Sequence, residues 1–325
     1  TAYRRQRQMC IRDRFRMFKI FRFGGKMNIK WAVNGLLDDI YFYVQGIPRL
    51  LITWKPENEL SILKFFENNV KKYPNEIAFI FKDQEITWLE ADIKVSEYGA
   101  YLQSEGIEKG DCFALLMDNC PDFLMLLLAA HRIGAIAALI NTTVTGEGLK
   151  HVVTIVDAKA VVLGASHIDK FNSSMPESEL QALNIYAIED SQKIPNEYVD
   201  INEQSKGFKD VKSHNLKIKD VGMYIYTSGT TGLPKAALIT NGRAVKTSYA
   251  GQFFGFRAKQ KDILYLTLPL YHATGLLWSW AGCLRGGATT VIKEKFSASE
   301  FWPDVRKHKV TMFGYVGELL SLIHI

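Results

Sequence analysis

Nothing in the 325 residues is long and apolar enough to cross a bilayer. The longest uninterrupted apolar run, Phe123 to Ala130, is eight residues and is ended by His131 and Arg132, where about 20 are needed. Cysteine is scarce. Cys10, Cys112, Cys120 and Cys283 have neither the spacing of a metal site nor the density of a disulfide framework, so a reducing, cytoplasmic compartment is the plain reading and no metal ligand set is expected from them. There is no internal repeat and no low-complexity tract, which excludes solenoids and biased linkers.

A basic surface is missing as well, although the net charge is +6. Residues 1–26 carry nine basic groups and one acid, Asp13, for +8, so the other 299 residues sum to −2. Positive charge steers a polyanion when it sits on a folded face. Here it sits in a leader without apolar periodicity, so nucleic acid is not an expected partner. The leader also lacks the apolar core of a signal peptide. We expect Thr1 to about Arg14 to be non-native, with Met17 or Met27 the natural start.

What is present is a soluble globular composition, 47% hydrophobic and 23% charged. From Met27 to Pro56, Val33, Leu36, Leu37, Ile40, Tyr41, Val44 and Ile47 recur at helical spacing, closed by Pro48. Such a helix either packs on the core or lies peripherally on a membrane, with Trp31 and Trp54 as interfacial anchors. Asp38 and Asp39 on its polar side favour the core. After Glu57, short apolar runs predict strands at 113–117, 137–140, 160–163, 185–188, 222–226, 263–268, 289–292 and 310–313, the pattern of strands covered on both faces. Helices are expected to open at Asn119–Asp122, Thr145–Glu147 and Ser297–Glu300. The alternation predicts an α/β domain with a largely parallel sheet flanked by helices. Glu189 to Asp220 is expected to be a surface excursion.

The chemistry is concentrated in Tyr226-Thr227-Ser228-Gly229-Thr230-Thr231-Gly232-Leu233-Pro234-Lys235. An apolar strand runs into a loop of hydroxyls and glycines closed by a lysine. Gly229 and Gly232 let the backbone approach an anion closely, and successive N–H groups form a concave nest. Thr227, Ser228, Thr230 and Thr231 add hydroxyl donors and Lys235 a full charge, so a polyphosphate is the expected ligand. A Walker P-loop is excluded, because two residues rather than four separate the glycines and Pro234 precedes the lysine.

This stretch resembles, without a gap, the phosphate loop of the adenylate-forming superfamily of acyl- and aryl-CoA ligases, adenylation domains and luciferases. Ile107–Asp111, Met117–Phe123 and Gly134–Ala138 are similar to the amino-terminal half of that family in order, and the likeness covers roughly Leu60 to Leu320. Ala236-Ala237 after the lysine, Tyr224–Tyr226 before it, Ala138–Thr142 with Gly146, Leu149, His151 and Ala158-Lys159, and Tyr315–Leu319 resemble its fatty-acid transport protein and very-long-chain acyl-CoA synthetase branch.

The resemblance implies a large N-terminal domain, incomplete at its C-terminus, over residues 57–325, without the small C-terminal domain, so the chain alone is expected not to form acyl-CoA. Ser321–Ile325 departs from the pattern and is expected to be a non-native tail. The implied activity is ATP-dependent conversion of a fatty acid to acyl-AMP and then acyl-CoA, with Mg²⁺ bridging phosphate oxygens. An aromatic or carnitine-like acid, or a membrane-associated fatty-acid uptake role, are the alternatives. Lys235 and His272 are the implied catalytic residues, His272 through Leu268-Pro269-Leu270-Tyr271-His272, where the family has an aromatic-histidine pair beside the acyl pocket. His131, His151, His167 and His308 have no partner spacing and read as surface or helix residues. Cys112 and Cys283 read as inert core thiols, Arg243 and Lys246 as solvated helix residues, and Gly24-Gly25 and Gly286-Gly287 as turns.

Overall fold

The computed structural model describes residues 54–317, apart from 182 and 228–231, together with residues 40, 44–48 and 51. The basic leader, Trp31, Gly24-Gly25, most of 27–53, Ser228–Thr231 and Ser321–Ile325 lie outside the described residues. Residues 44–48 are helical.

Twelve strands are described: β1 (Ile77–Phe81), β2 (Gln84–Thr87), β3 (Cys112–Leu116), β4 (Ile136–Leu139), β5 (Ala158–Gly164), β6 (Asn184–Ile188), β7 (Val199–Asp200), β8 (Val221–Thr227), β9 (Lys235–Thr240), β10 (Ile263–Leu266), β11 (Thr289–Ile292) and β12 (Met312–Phe313). They form two sheets. One runs β7-β6-β5-β3-β4-β8-β9 and the other β12-β10-β11-β1-β2. Neighbours are parallel except for the hairpin pairs β8–β9 and β1–β2.

The helices that matter here are α1 (Ile62–Lys72), α2 (Trp88–Ser104), α3 (Pro121–Ile133), α4 (Gly146–Thr154), α5 (Ile168–Ser174), α6 (Asn241–Ala250), α7 (Ala281–Gly286) and α8 (Ala298–Lys307). Their layering follows from the two-residue period of the strands. In β3, Phe113 and Leu115 face one core while Cys112, Ala114 and Leu116 face another. The first core is filled by Ile62 and Phe66 of α1, Trp88 and Tyr98 of α2, all of α3 from Phe123 to Ala130, and Cys283 and Leu284 of α7. It also takes Phe79 of β1 and Leu264 and Leu266 of β10, so these helices lie between the two sheets. The second core packs Leu149 and Val152 of α4 and Phe171 of α5 on the outside of the larger sheet. A third joins Tyr265 and Val291 to Phe301 of α8.

The eight-residue apolar run is therefore a helix buried on every side. Leu124, Leu126, Leu127 and Leu128 are each 0% exposed, worth about 2 kcal/mol apiece in transfer from water. Arg132 ends it by donating to Asp92 Oδ1 at 2.6 Å on α2. Among the described residues no helix is long and apolar enough to cross a membrane.

The parallel α/β expectation is met, and all eight predicted strands are present. β1, β2, β7 and β9 were not foreseen. The run 310–313 shortens to Met312–Phe313 because the Val310 amide turns back to Val305 O at the end of α8. The cap chemistry at Ser297 is unused, since its hydroxyl lies 3.1 Å from Ser299 Oγ and caps nothing. The excursion 189–220 is more anchored than expected: Ile201 and Ser205 are fully buried. Trp54 does not face outward as an anchor but stacks on Tyr249 with centroids 5.7 Å apart.

Candidate active site

The glycine- and hydroxyl-rich segment of the sequence connects β8 and β9, an antiparallel pair at the edge of the larger sheet. β8 pairs in parallel with β4 and antiparallel with β9, and the last rung sets Thr227 opposite Lys235. Ligands of parallel α/β sheets bind beyond the carboxyl ends of the strands, and Thr227 is the last residue of β8 at that end. Both Thr227 and Lys235 are exposed, and Lys235 forms no salt bridge among the described residues. A Cβ built on Gly232 would meet nothing within 4 Å, so the chain beside the loop is open. Ser228, Gly229, Thr230 and Thr231 lie outside the described residues. Tyr226 is buried at 8% exposure, and its hydroxyl donates to Val152 O of α4. Burial raises its phenol pKa, so its part is to anchor the entering strand.

His272 occupies a tight turn after β10. Its amide donates to Pro269 O at 3.2 Å, and its carbonyl accepts from the Leu276 amide at 3.0 Å. The imidazole is exposed at the rim, edge-on to Tyr271 with centroids 4.7 Å apart and planes at 63°. Desolvation against that wall holds its pKa below the ordinary histidine value, which leaves it neutral at pH 7. The turn requires glycine at 275, because a Cβ there would lie 2.3 Å from Pro269 O.

Asn119 joins the two sheets at this edge. It is 4% exposed, accepts from the Leu270 amide at 2.9 Å, and donates to Leu268 O at 3.0 Å and Lys293 O at 3.3 Å. The end of β3 is thereby bonded to the segments that follow β10 and β11. Beside it, Asp118 Oδ1 lies 3.6 Å from His167 Nε2, and its other oxygen lies 3.6 Å from Lys295 Nζ. The His167 contact, more than Lys295, holds that carboxyl below the usual range. Lys170 donates to Thr142 O at 2.5 Å and meets His167 Nδ1 at 3.2 Å. Burial lowers the Lys170 pKa.

His167 is thus not the isolated histidine its spacing implied. Its partners lie 49 and 3 residues away, brought together by the parallel pairing of β3 with β5. No periodicity in the chain marks Asn119, Lys170 or Lys295 as neighbours. Of the other histidines, His131 is the helix residue it was read as, fully buried inside α3, and desolvation lowers it to about 4. His151 meets Pro234 O at 3.1 Å through Nε2. Cys112 and Cys283 are buried in the core as expected, the Cys112 thiol pushed up to about 12. Gly287 takes φ 78° at the end of α7, the turn foreseen there. Among the described residues no three metal-ligating side chains gather.

Thr227 and Lys235 pair at the carboxyl end of β8 in the larger sheet, and His272 follows β10 of the second sheet in an α/β architecture. The profile of the AMP-binding enzyme family matches residues 66–324, and the chain belongs to that family. It is 32% identical over 291 residues to long-chain fatty acid transport protein 6 of Homo sapiens, covering 87% of this chain and 46% of that protein. It is 30% identical over 284 residues to the medium/long-chain-fatty-acid–CoA ligase FadD6 of Mycobacterium tuberculosis, with shares of 87% and 46%. The chain therefore spans about half the length of these curated relatives.

Among solved structures, the inhibitor-bound N-terminal domain of FACL13 from Mycobacterium tuberculosis superposes with a TM-score of 0.72 at 22% identity, covering 82% of this chain and 65% of that one. The anthranilate CoA ligase AuaEII in complex with anthranoyl-AMP gives 0.71 at 19%, covering 80% and 50%. At these identities the likeness establishes the fold, that of the N-terminal domain of adenylate-forming enzymes.

Proposed function

We propose that the protein activates a long- or very-long-chain fatty acid with ATP, forming acyl-AMP and then acyl-CoA. The observation that carries this is the hairpin loop ending in the exposed Thr227–Lys235 rung at the carboxyl edge of the sheet. The names of the relatives support a fatty acid as substrate and coenzyme A as acceptor. In the first step a carboxylate oxygen attacks the α-phosphorus, the bond to the bridging oxygen breaks, and pyrophosphate departs. Charge builds on that leaving group, so donors aimed at it are worth more than a general base. Thr227, the amides of the loop and Lys235 bind the β and γ phosphates. In the second step the coenzyme A sulfur attacks the acyl carbon and AMP leaves. His272, neutral at pH 7, orients the acid by a hydrogen bond rather than an ion pair. A Mg²⁺ ion arriving with ATP would screen the phosphate charge beside Thr227 and Lys235; among the described residues no three metal-ligating side chains gather to hold it by themselves.

The site of action we propose is cytoplasmic, peripheral on a membrane. Ile40, Val44, Ile47 and Leu51 favour the second term, since they are 50%, 60%, 45% and 74% exposed at a helix-like spacing of three and four. ATP–pyrophosphate exchange by the full-length protein, scanned over acids of increasing chain length, tests the activity. Exchange that rises with long-chain acids supports it. Exchange with aromatic acids alone transfers the assignment to another acid, and no exchange with any acid ends it.

A further inference from the structure

The phosphate loop leaves the sheet on two limbs, and both are tied to consecutive residues of one helix. On the entering limb the Tyr226 hydroxyl donates to the carbonyl of Val152. On the leaving limb the carbonyl of Pro234 meets Nε2 of His151 at 3.1 Å. A carbonyl only accepts, so Nε2 carries the proton and donates. The β8–β9 ladder ends at Thr227 opposite Lys235, the residue that follows Pro234. Proline has no N–H to make a further rung. Side-chain packing does not replace that rung, because Leu233 is 49% exposed and a Cβ on Gly232 would touch nothing within 4 Å. The bond from His151 instead holds the Pro234 carbonyl to α4.

We propose that His151 is a positioning residue for the nucleotide: it fixes the leaving limb, and with it the Lys235 ammonium, at the place where the triphosphate binds. The proposal rests on the reading of 227–235 as the phosphate site. His151 touches no reacting atom and acts through Pro234. A net neutral hydrogen bond is worth about 1 kcal/mol, which is about fivefold in an equilibrium constant.

The test titrates ATP into the chain and its variants while amide exchange is followed at Lys235 and Ala236. His151→Leu keeps the volume and removes the donor. It is expected to raise the Kd for ATP about fivefold and to speed exchange at both amides. His151→Gln, whose Nε2 hydrogens reach a similar point, is expected to restore both. A leucine variant with wild-type Kd and wild-type exchange overturns the proposal, as does one that loses thermal stability while both local readouts stay put. If His151→Leu fails to fold, His151→Ala carries the same comparison, alanine being the strongest helix former. Absence of ATP binding by the unaltered chain is a different result: it removes the phosphate site, and this proposal with it.

Discussion

Asn119→Leu is the sharpest test of how the site is held together. The side chain is buried and makes three bonds, one accepted from Leu270 and two donated to Leu268 and Lys293. Leucine matches its shape and answers none of them. One amide and two carbonyls then lose their partners in the interior, at about 1–3 kcal/mol each. Carbonyls keep a second lone pair and loops relax, so the three do not add fully, and we expect a loss of about 4 kcal/mol. For a domain of this size 1 kcal/mol moves Tm by about 2–4 °C, so the variant should melt about 10 °C lower in a two-state thermal or urea transition. Function should divide in a particular way. The segment leading to His272 loses its tether to β3, whereas the β8–β9 hairpin does not touch Asn119. Acid-dependent pyrophosphate exchange should therefore fall further than ATP affinity. A Tm drop under about 2 °C, or equal losses of ATP binding and acid-dependent exchange, would refute the view of Asn119 as the joint between the two sheets.

Three further outcomes follow from single contacts. Lys235→Ala removes one charge-assisted contact, worth about 1.5–3 kcal/mol, and should slow pyrophosphate exchange at least tenfold; an unchanged rate at saturating ATP contradicts the phosphate role. Gly275→Ala drives a Cβ to within 2.3 Å of Pro269 O and should cost about 1–3 kcal/mol, read by thermal unfolding, with no loss showing that the His272 turn has slack. His131 is lowered to about 4 by burial against about 6.5 in an unfolded chain. The unfolded state then binds the extra proton, so stability is full above pH 6.5 and declines by about 3 kcal/mol as pH falls from 6.5 to about 4. Urea curves at several pH values should show that slope, and a His131→Leu variant that retains all of it would disprove the assignment.

The α/β class was legible because a strand covered on both faces must be apolar at every position, and runs such as Phe113–Met117 and Thr289–Ile292 satisfy that condition locally. The phosphate-site proposal rests on a signal of the same local kind. Glycines, hydroxyls and a lysine within ten residues carry their chemistry wherever the chain goes. β9 was hidden behind that same signal, since Lys235–Thr240 is a half-exposed edge strand whose pairing with β8 is set by the hairpin and not by its own pattern. Trp54 and His131 were each left open between two settings, because an aromatic or an imidazole has the same composition inside and outside, and only the packing of Tyr249 or α3 around it chooses. Asp118, Asn119, His167, Lys170 and Lys295 come from the ends of different strands, or from the segments just beyond them, up to 177 residues apart. Parallel pairing carries such ends to one edge through crossovers of any length, so their neighbourhood is a property of strand order, which no local spacing encodes. The same holds for His151 beneath Pro234. Residue types told what the loop could bind, and the order of the strands told what holds it in place.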